Sequence, residues 1–223
     1  MKLHMHPVSS TSRPVMLLIA VADIPCEAVV VDLMKGEHQG PAFGQLNASR
    51  EVPVLEDGDF VMAESSAIMK YLADKVNSPL YPQDMKQRAR INERMDWFNT
   101  KFYRDWAYNM IYPQLFPHHK RATDEHTAAT IEWGKARSAG TLTQLEEQIL
   151  GNNKFVCGDA MTIADLFGAQ FVCLGDTVRQ DFGKYPKVKG WIGRMKALPA
   201  WKKVNEVAEG FAASLADKPL VAV

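Results

Sequence analysis

The hydrophobic pattern changes its period once along the chain, near residue 78, and that change constrains the fold more than any other feature. Before it, short apolar runs of strand type alternate with helical spacing; after it, every periodic segment is helical. Lys2–His6 alternates and runs into Pro7 and a Ser/Thr cluster, after which Val15, Leu18, Ile19 and Ala22 recur at helical spacing. Glu27–Val31 is apolar and β-branched and reads as a buried strand. Val52–Leu55 and Phe60–Met62 flank Glu56-Asp57-Gly58-Asp59, whose Asp-Gly signals a tight hairpin. Glu64–Lys75 returns to helix with Ile68, Tyr71 and Leu72 on one face. The order is βαβ, a loop with a short helix, then ββα.

A stretch with Pro79 and Pro82 follows, and a long helix is expected from Lys86 to about Tyr112, with Ile91, Met95, Phe98, Phe102, Trp106 and Met110 on its apolar face. Further helices center on Leu142–Ile149, Ile163–Phe171, Val188–Met195 and Trp201–Phe211. The expected architecture is an α+β chain of two domains: a small α/β domain over 1–77, a linker over 78–86 and an all-α domain over 87–223.

Composition narrows the function. The 223 residues are 47% apolar and 23% charged, as in ordinary globular proteins. Twenty-six basic residues balance 26 acidic ones, and no basic stripe emerges, so a nucleic-acid partner is not expected. Cys26, Cys157 and Cys173 form no CxxC pair and no disulfide framework. No signal peptide and no membrane-length apolar run is present, which points to a cytoplasmic protein. His4 with His6, and His118 with His119, lack a third ligand at matching spacing, so no metal is expected.

Motifs along the chain carry a resemblance. Asp23-Ile24-Pro25, Asp32-Leu33-Met34-Lys35-Gly36-Glu37-His38, Asn47, Val52-Pro53-Val54-Leu55, Asp57-Gly58, Glu64-Ser65, Ile68 and Tyr71-Leu72 resemble the theta-type branch of the cytosolic glutathione transferases. Leu80-Tyr81-Pro82-Gln83-Asp84 and Arg88-Ala89-Arg90 continue the likeness. That family joins a thioredoxin-like N-terminal domain to an all-helical one. The resemblance implies glutathione as co-substrate and a homodimer, in which exposed Met69 or Tyr71 would gain cover. It also implies a small electrophilic acceptor, including halogenated compounds. Glutathione-dependent peroxide reduction and a non-catalytic interaction module are the alternatives on the same fold.

A free thiol titrates near pH 8.5, so an enzyme of this kind must stabilize the thiolate, which a hydroxyl donor beside a helix N-terminus can do. The resemblance places the catalytic Ser four residues before the Arg of the first helix, which is Ser9, with Ser10 the alternative if the register differs by one. It implies that Val52, before a cis Pro53, pairs with the cysteinyl backbone, and that Ser65 and Glu64 hold the γ-glutamyl end. His38 and Arg50 fall to the glycyl carboxylate, Arg50 because Glu51 stands where theta-like members carry Lys or Gln. Arg104 and Trp106 are the expected acceptor-pocket residues. Thr162-Ile163-Ala164-Asp165 resembles the family's buried capping box, with Met161 and Leu166 as its hydrophobic staple.

Overall fold

The computed structural model describes residues 1–223. Strands β1 (Lys2–Met5), β2 (Glu27–Val30), β3 (Val54–Asp57) and β4 (Phe60–Met62) form one mixed sheet in the order β2-β1-β3-β4. β1 and β2 run parallel with Lys2 opposite Glu27, whereas β1 and β3 are antiparallel with His4 opposite Val54. The β3–β4 hairpin turns at Gly58, whose φ of 67° suits glycine. Helices α1 (Ser12–Val21), α2 (Pro41–Leu46) and α3 (Ser65–Lys75) complete the thioredoxin-like half.

Two expectations are corrected here. β2 is an edge strand, paired only to β1, and Glu27, Ala28 and Val30 are exposed. Its β-branched run serves backbone pairing, and only Val31 behind it is buried. Met69 is fully buried within the chain because α3 packs against α1 on one side and reaches the helical half on the other. Tyr71 is half-buried and donates its hydroxyl to Asp57.

The helical half is built on one long rod. Helix α4 (Met85–Trp97) passes through π-helical turns at Phe98–Phe102 and Arg104–Ile111 into α5 (Tyr112–Leu115). Around it pack α6 (Asp124–Gln144, extended by a π-helical stretch to Leu150), α7 (Ile163–Val172), α8 (Pro186–Lys196) and α9 (Trp201–Ala213). Phe98, Phe102, Trp106, Phe167, Phe171 and Trp191 are fully buried and form its aromatic center. Phe98 stacks on Trp191 at 6.1 Å between ring centroids. A Cβ on Gly168 would lie 2.2 Å from the Phe98 ring, so this helix crossing requires glycine.

Asp165 is the polar node of this core. Its carboxylate accepts from the backbone amides of Val156 (2.9 Å) and Thr162 (2.8 Å), from the Thr162 hydroxyl (3.1 Å) and from the Trp191 indole (3.0 Å). One fully buried side chain thus starts α7, fixes the preceding loop and anchors α8. Removing it leaves several buried donors unpaired, at about 1–3 kcal/mol each. Asp165→Ala is therefore expected to cost about 3 kcal/mol or more in urea unfolding, against about 1 kcal/mol for Thr162→Ala.

Candidate active site

The site is assembled where the first strand turns into α1. Ser9 Oγ accepts the Ser12 amide at 3.2 Å, which is a first-turn donor of that helix. The same oxygen lies 3.0 Å from Thr11 Oγ1, and the Thr11 hydroxyl donates to the Val52 carbonyl at 2.9 Å. Thr11 has one proton and spends it on Val52, so Ser9 is the donor in the Ser9–Thr11 bond. A thiolate arriving in the cavity would need only a rotation of the Ser9 hydroxyl to receive that proton as a hydrogen bond. The amide behind Ser9 adds the partial positive charge of the helix end.

Ser10 also lines the larger cavity, but its hydroxyl is engaged by two tyrosines. It is buried, and its hydroxyl lies 2.8 Å from Tyr103 OH and 2.7 Å from Tyr112 OH, which are themselves 2.7 Å apart. Burial pushes both phenols above the ordinary tyrosine range, so all three hydroxyls are neutral and close a ring of hydrogen bonds across the two halves.

The Val52–Pro53 bond is cis. The Val52 amide has no partner within the chain, whereas its carbonyl already accepts from Thr11. Ser65 is buried at the start of α3, whose N-terminus carries no side-chain cap and so presents free amides. Glu64 before it holds φ at 67°, in the left-handed region that non-glycine residues enter at a cost of about 1 kcal/mol or more.

These groups open on a cavity of about 660 Å³ and an adjoining one of about 190 Å³. Ser9, Thr11, His38, Arg50 and Val52 line the larger cavity. Tyr108, Tyr112, Phe116, Trp201 and Phe211 give it aromatic walls. The smaller one holds Glu51, Val52, Pro53, Glu64 and Ser65 and has no basic lining residue. Val52 and Glu51 border both. The Arg50 guanidinium donates to the Gln39 carbonyl, and His38 Nδ1 is buried without a partner.

The structure removes Arg104 and Trp106 from the acceptor pocket. Arg104 is exposed and forks onto Asp105, with Nε–Oδ1 at 3.0 Å and Nη2–Oδ2 at 3.1 Å. Trp106 is fully buried against Phe102 and Phe182. Helical spacing misled here because the rod widens its turn. The π-helical segment brings Tyr103, Tyr108 and Tyr112 together, with ring centroids 5.2–6.0 Å apart, whereas a strict 3.6-residue period spreads them around the helix. Tyr108, Tyr112 and Phe116 line the site without a local motif to announce them, whereas Thr11 sits in the Ser/Thr cluster and His118-His119 stood out only as an adjacent pair.

A thioredoxin-like sheet joined to a helical bundle, with a hydroxyl at the α1 N-terminus and a free amide before a cis proline, defines a class of thiol-dependent transferases. Residues 1–74 match "Glutathione S-transferase, N-terminal domain" and residues 110–199 match "Glutathione S-transferase, C-terminal domain". The chain belongs to the glutathione S-transferase family and is a glutathione transferase. It is 34% identical to human glutathione S-transferase theta-1 over 202 residues, covering 88% of this chain and 82% of the relative. The solved human theta-2 enzyme in complex with glutathione aligns with a TM-score of 0.86 at 29% identity, covering 99% of this chain and 92% of that one. A delta-class transferase of Nilaparvata lugens aligns at 0.79 and 30% identity, covering 96% and 97%.

The chain's own thiols are unsuited to this chemistry. Burial pushes Cys157 up to about 11 and Cys173 up to about 12, and raises Cys26 as well. Near neutral pH the thiolate fraction of Cys157 and Cys173 is then lower than that of a free thiol by roughly a hundredfold or more. A disulfide reagent at pH 7 is expected to modify both at least about a hundredfold more slowly in the native protein than after denaturation, when all three cysteines react.

Proposed function

We propose that glutathione lies across Val52 with its thiol toward Ser9, and that the Ser9 hydroxyl stabilizes the thiolate for attack on an electrophilic carbon. The arrangement of the Ser9 hydroxyl against the first amide of α1, facing the cavity, carries this reading. The unpaired Val52 amide suits the cysteinyl carbonyl of an extended tripeptide. The free amides at the start of α3, with Ser65, suit the γ-glutamyl carboxylate, and Glu64 suits its ammonium. Arg50 and His38, which line the larger cavity, suit the glycyl carboxylate.

Ser10 serves as a tie between the two halves in this reading, and Ser9 alone meets sulfur. The acceptor enters between Tyr108, Tyr112 and Phe116, whose apolar faces suit small electrophiles, halogenated ones among them. With a halogenated acceptor the new carbon–sulfur bond forms as halide departs. The chain acts as a cytoplasmic homodimer, and no helix is long and apolar enough to cross a membrane.

Ser9→Ala is expected to lower turnover by about a hundredfold while changing glutathione affinity by less than about threefold, because the lost hydrogen bond is made to the thiolate. Ser10→Ala should instead lower the melting temperature and leave turnover within a few-fold. Steady-state kinetics with calorimetric glutathione titration separates the two, and equal turnover by Ser9→Ala would defeat the assignment. Glu51 sets an exposed carboxylate beside the bound tripeptide anion. Glu51→Gln is expected to tighten glutathione binding by roughly two- to fivefold at low salt, with the gain shrinking as salt is added.

A further inference from the structure

Arg13 is buried at 4% exposure in the first turn of α1, and no carboxylate lies within ion-pair distance of it. Only Nη1 is engaged, donating to the amide oxygens of Gln170 (3.0 Å) and Asn205 (2.8 Å). Nε is buried without a partner, and so is the neighboring Gln170 amide nitrogen. A buried charge is ordinarily paired, and a cation is disfavored at the positive end of a helix. Arg13 meets neither condition, yet an arginine in a protein stays protonated.

No surrounding carboxylate forms an ion pair with this charge, and Asp176 acts on it only from beyond that distance. The buried face of α3 carries no ionizable side chain. The one acid of α7, Asp165, is bound into its cap at the far end of that helix. On the turn after α7, Cys173 is neutral, pushed up to about 12, and Asp176 is taken by Lys196 at 2.8 Å. From α9, Glu209 accepts from the Trp201 indole at 3.2 Å. Tyr103 and Tyr112 are neutral phenols. Arg13 and Asn205 both line the large cavity, and the Arg13 amide donates to the Ser9 carbonyl at 3.1 Å.

We infer that Arg13 is a positioning residue for the reaction: an unpaired buried cation behind the α1 N-terminus, held by two neutral amides, that is compensated only when the glutathione thiolate forms at Ser9. The choice of Gln170 and Asn205 as its partners is the point. Amides fix the guanidinium without neutralizing it, whereas a carboxylate in either place would quench its field. This inference rests on the proposed placement of the thiol at Ser9.

The test is an ultraviolet titration of the bound glutathione thiolate from about pH 5 to 9, with kcat/KM measured over the same range. Asn205→Asp supplies the missing counter-ion. It is expected to raise the bound thiol's pKa by about one unit and lower kcat/KM about tenfold below that pKa, with little loss above it. Gln170→Glu makes the same test from the other amide should Asn205→Asp not fold. Arg13→Lys keeps the charge and should titrate near wild type, whereas Arg13→Gln should follow Asn205→Asp. A folded, more heat-stable Asn205→Asp with an unmoved titration would overturn the inference and leave Arg13 as a tie between domains. If Ser9→Ala leaves the titration unmoved while Asn205→Asp shifts it, the Ser9 placement fails and the role of Arg13 stands.

Discussion

Helix α1 has little surface left to water: Ser12, Arg13, Pro14, Val15, Leu17 and Leu18 are all buried. It packs against α3 within its own half and against α7 and α9 across the seam. The loop that carries Ser9 is therefore set by a helix that both halves grip. Its N-terminus is tied twice more, by Ser10 to Tyr103 and Tyr112, and by Arg13 to Gln170 and Asn205. A thiol site built on this end inherits the rigidity of the whole seam, and its geometry depends on the two halves being docked.

The helical half earns its place as a scaffold through buried carboxylates that are each fully engaged. Asp165 closes the α7 cap and holds Trp191. Glu146 is buried on the extension of α6 and accepts from the backbone amides of Lys187 and Val188, capping α8 from a distant helix. Burial pushes the Asp105 carboxyl up, yet Arg104 and Arg137 beside it hold it below the usual carboxylate range. Each of these would be costly if orphaned, and each fixes the position of two elements. Arg13 is set apart from them because its buried Nε has no hydrogen-bond partner.

Much of the thioredoxin-like half was legible because its signals are local. The Asp-Gly turn, the apolar runs around it and the Ser/Thr cluster before a helical period concern residues a few positions apart. β2 was misread because a β-branched run does not reveal whether anything will cover it. Met69 was misread for the mirror-image reason: the elements that bury it come from elsewhere in the chain. Arg104 and Trp106 were misplaced because the rod's wide turns shift side chains around its axis, and hydrogen-bond register within a helix is not written in composition.

Sequence by itself determined the period of each segment, the hairpin turn, the α7 capping box and the presence of a Ser/Thr cluster at a helix start, since propensity, turn chemistry and capping act over a few residues. Only the tertiary structure decided which partners each serine hydroxyl meets. Ser9 and Ser10 are adjacent and chemically alike. One reaches Thr11 and the α1 amide, while the other meets two tyrosines more than 90 residues away along the chain. The same holds for Arg13, whose partners lie on α7 and α9. Contacts across such separations form only when the domains pack, so no local pattern can assign them.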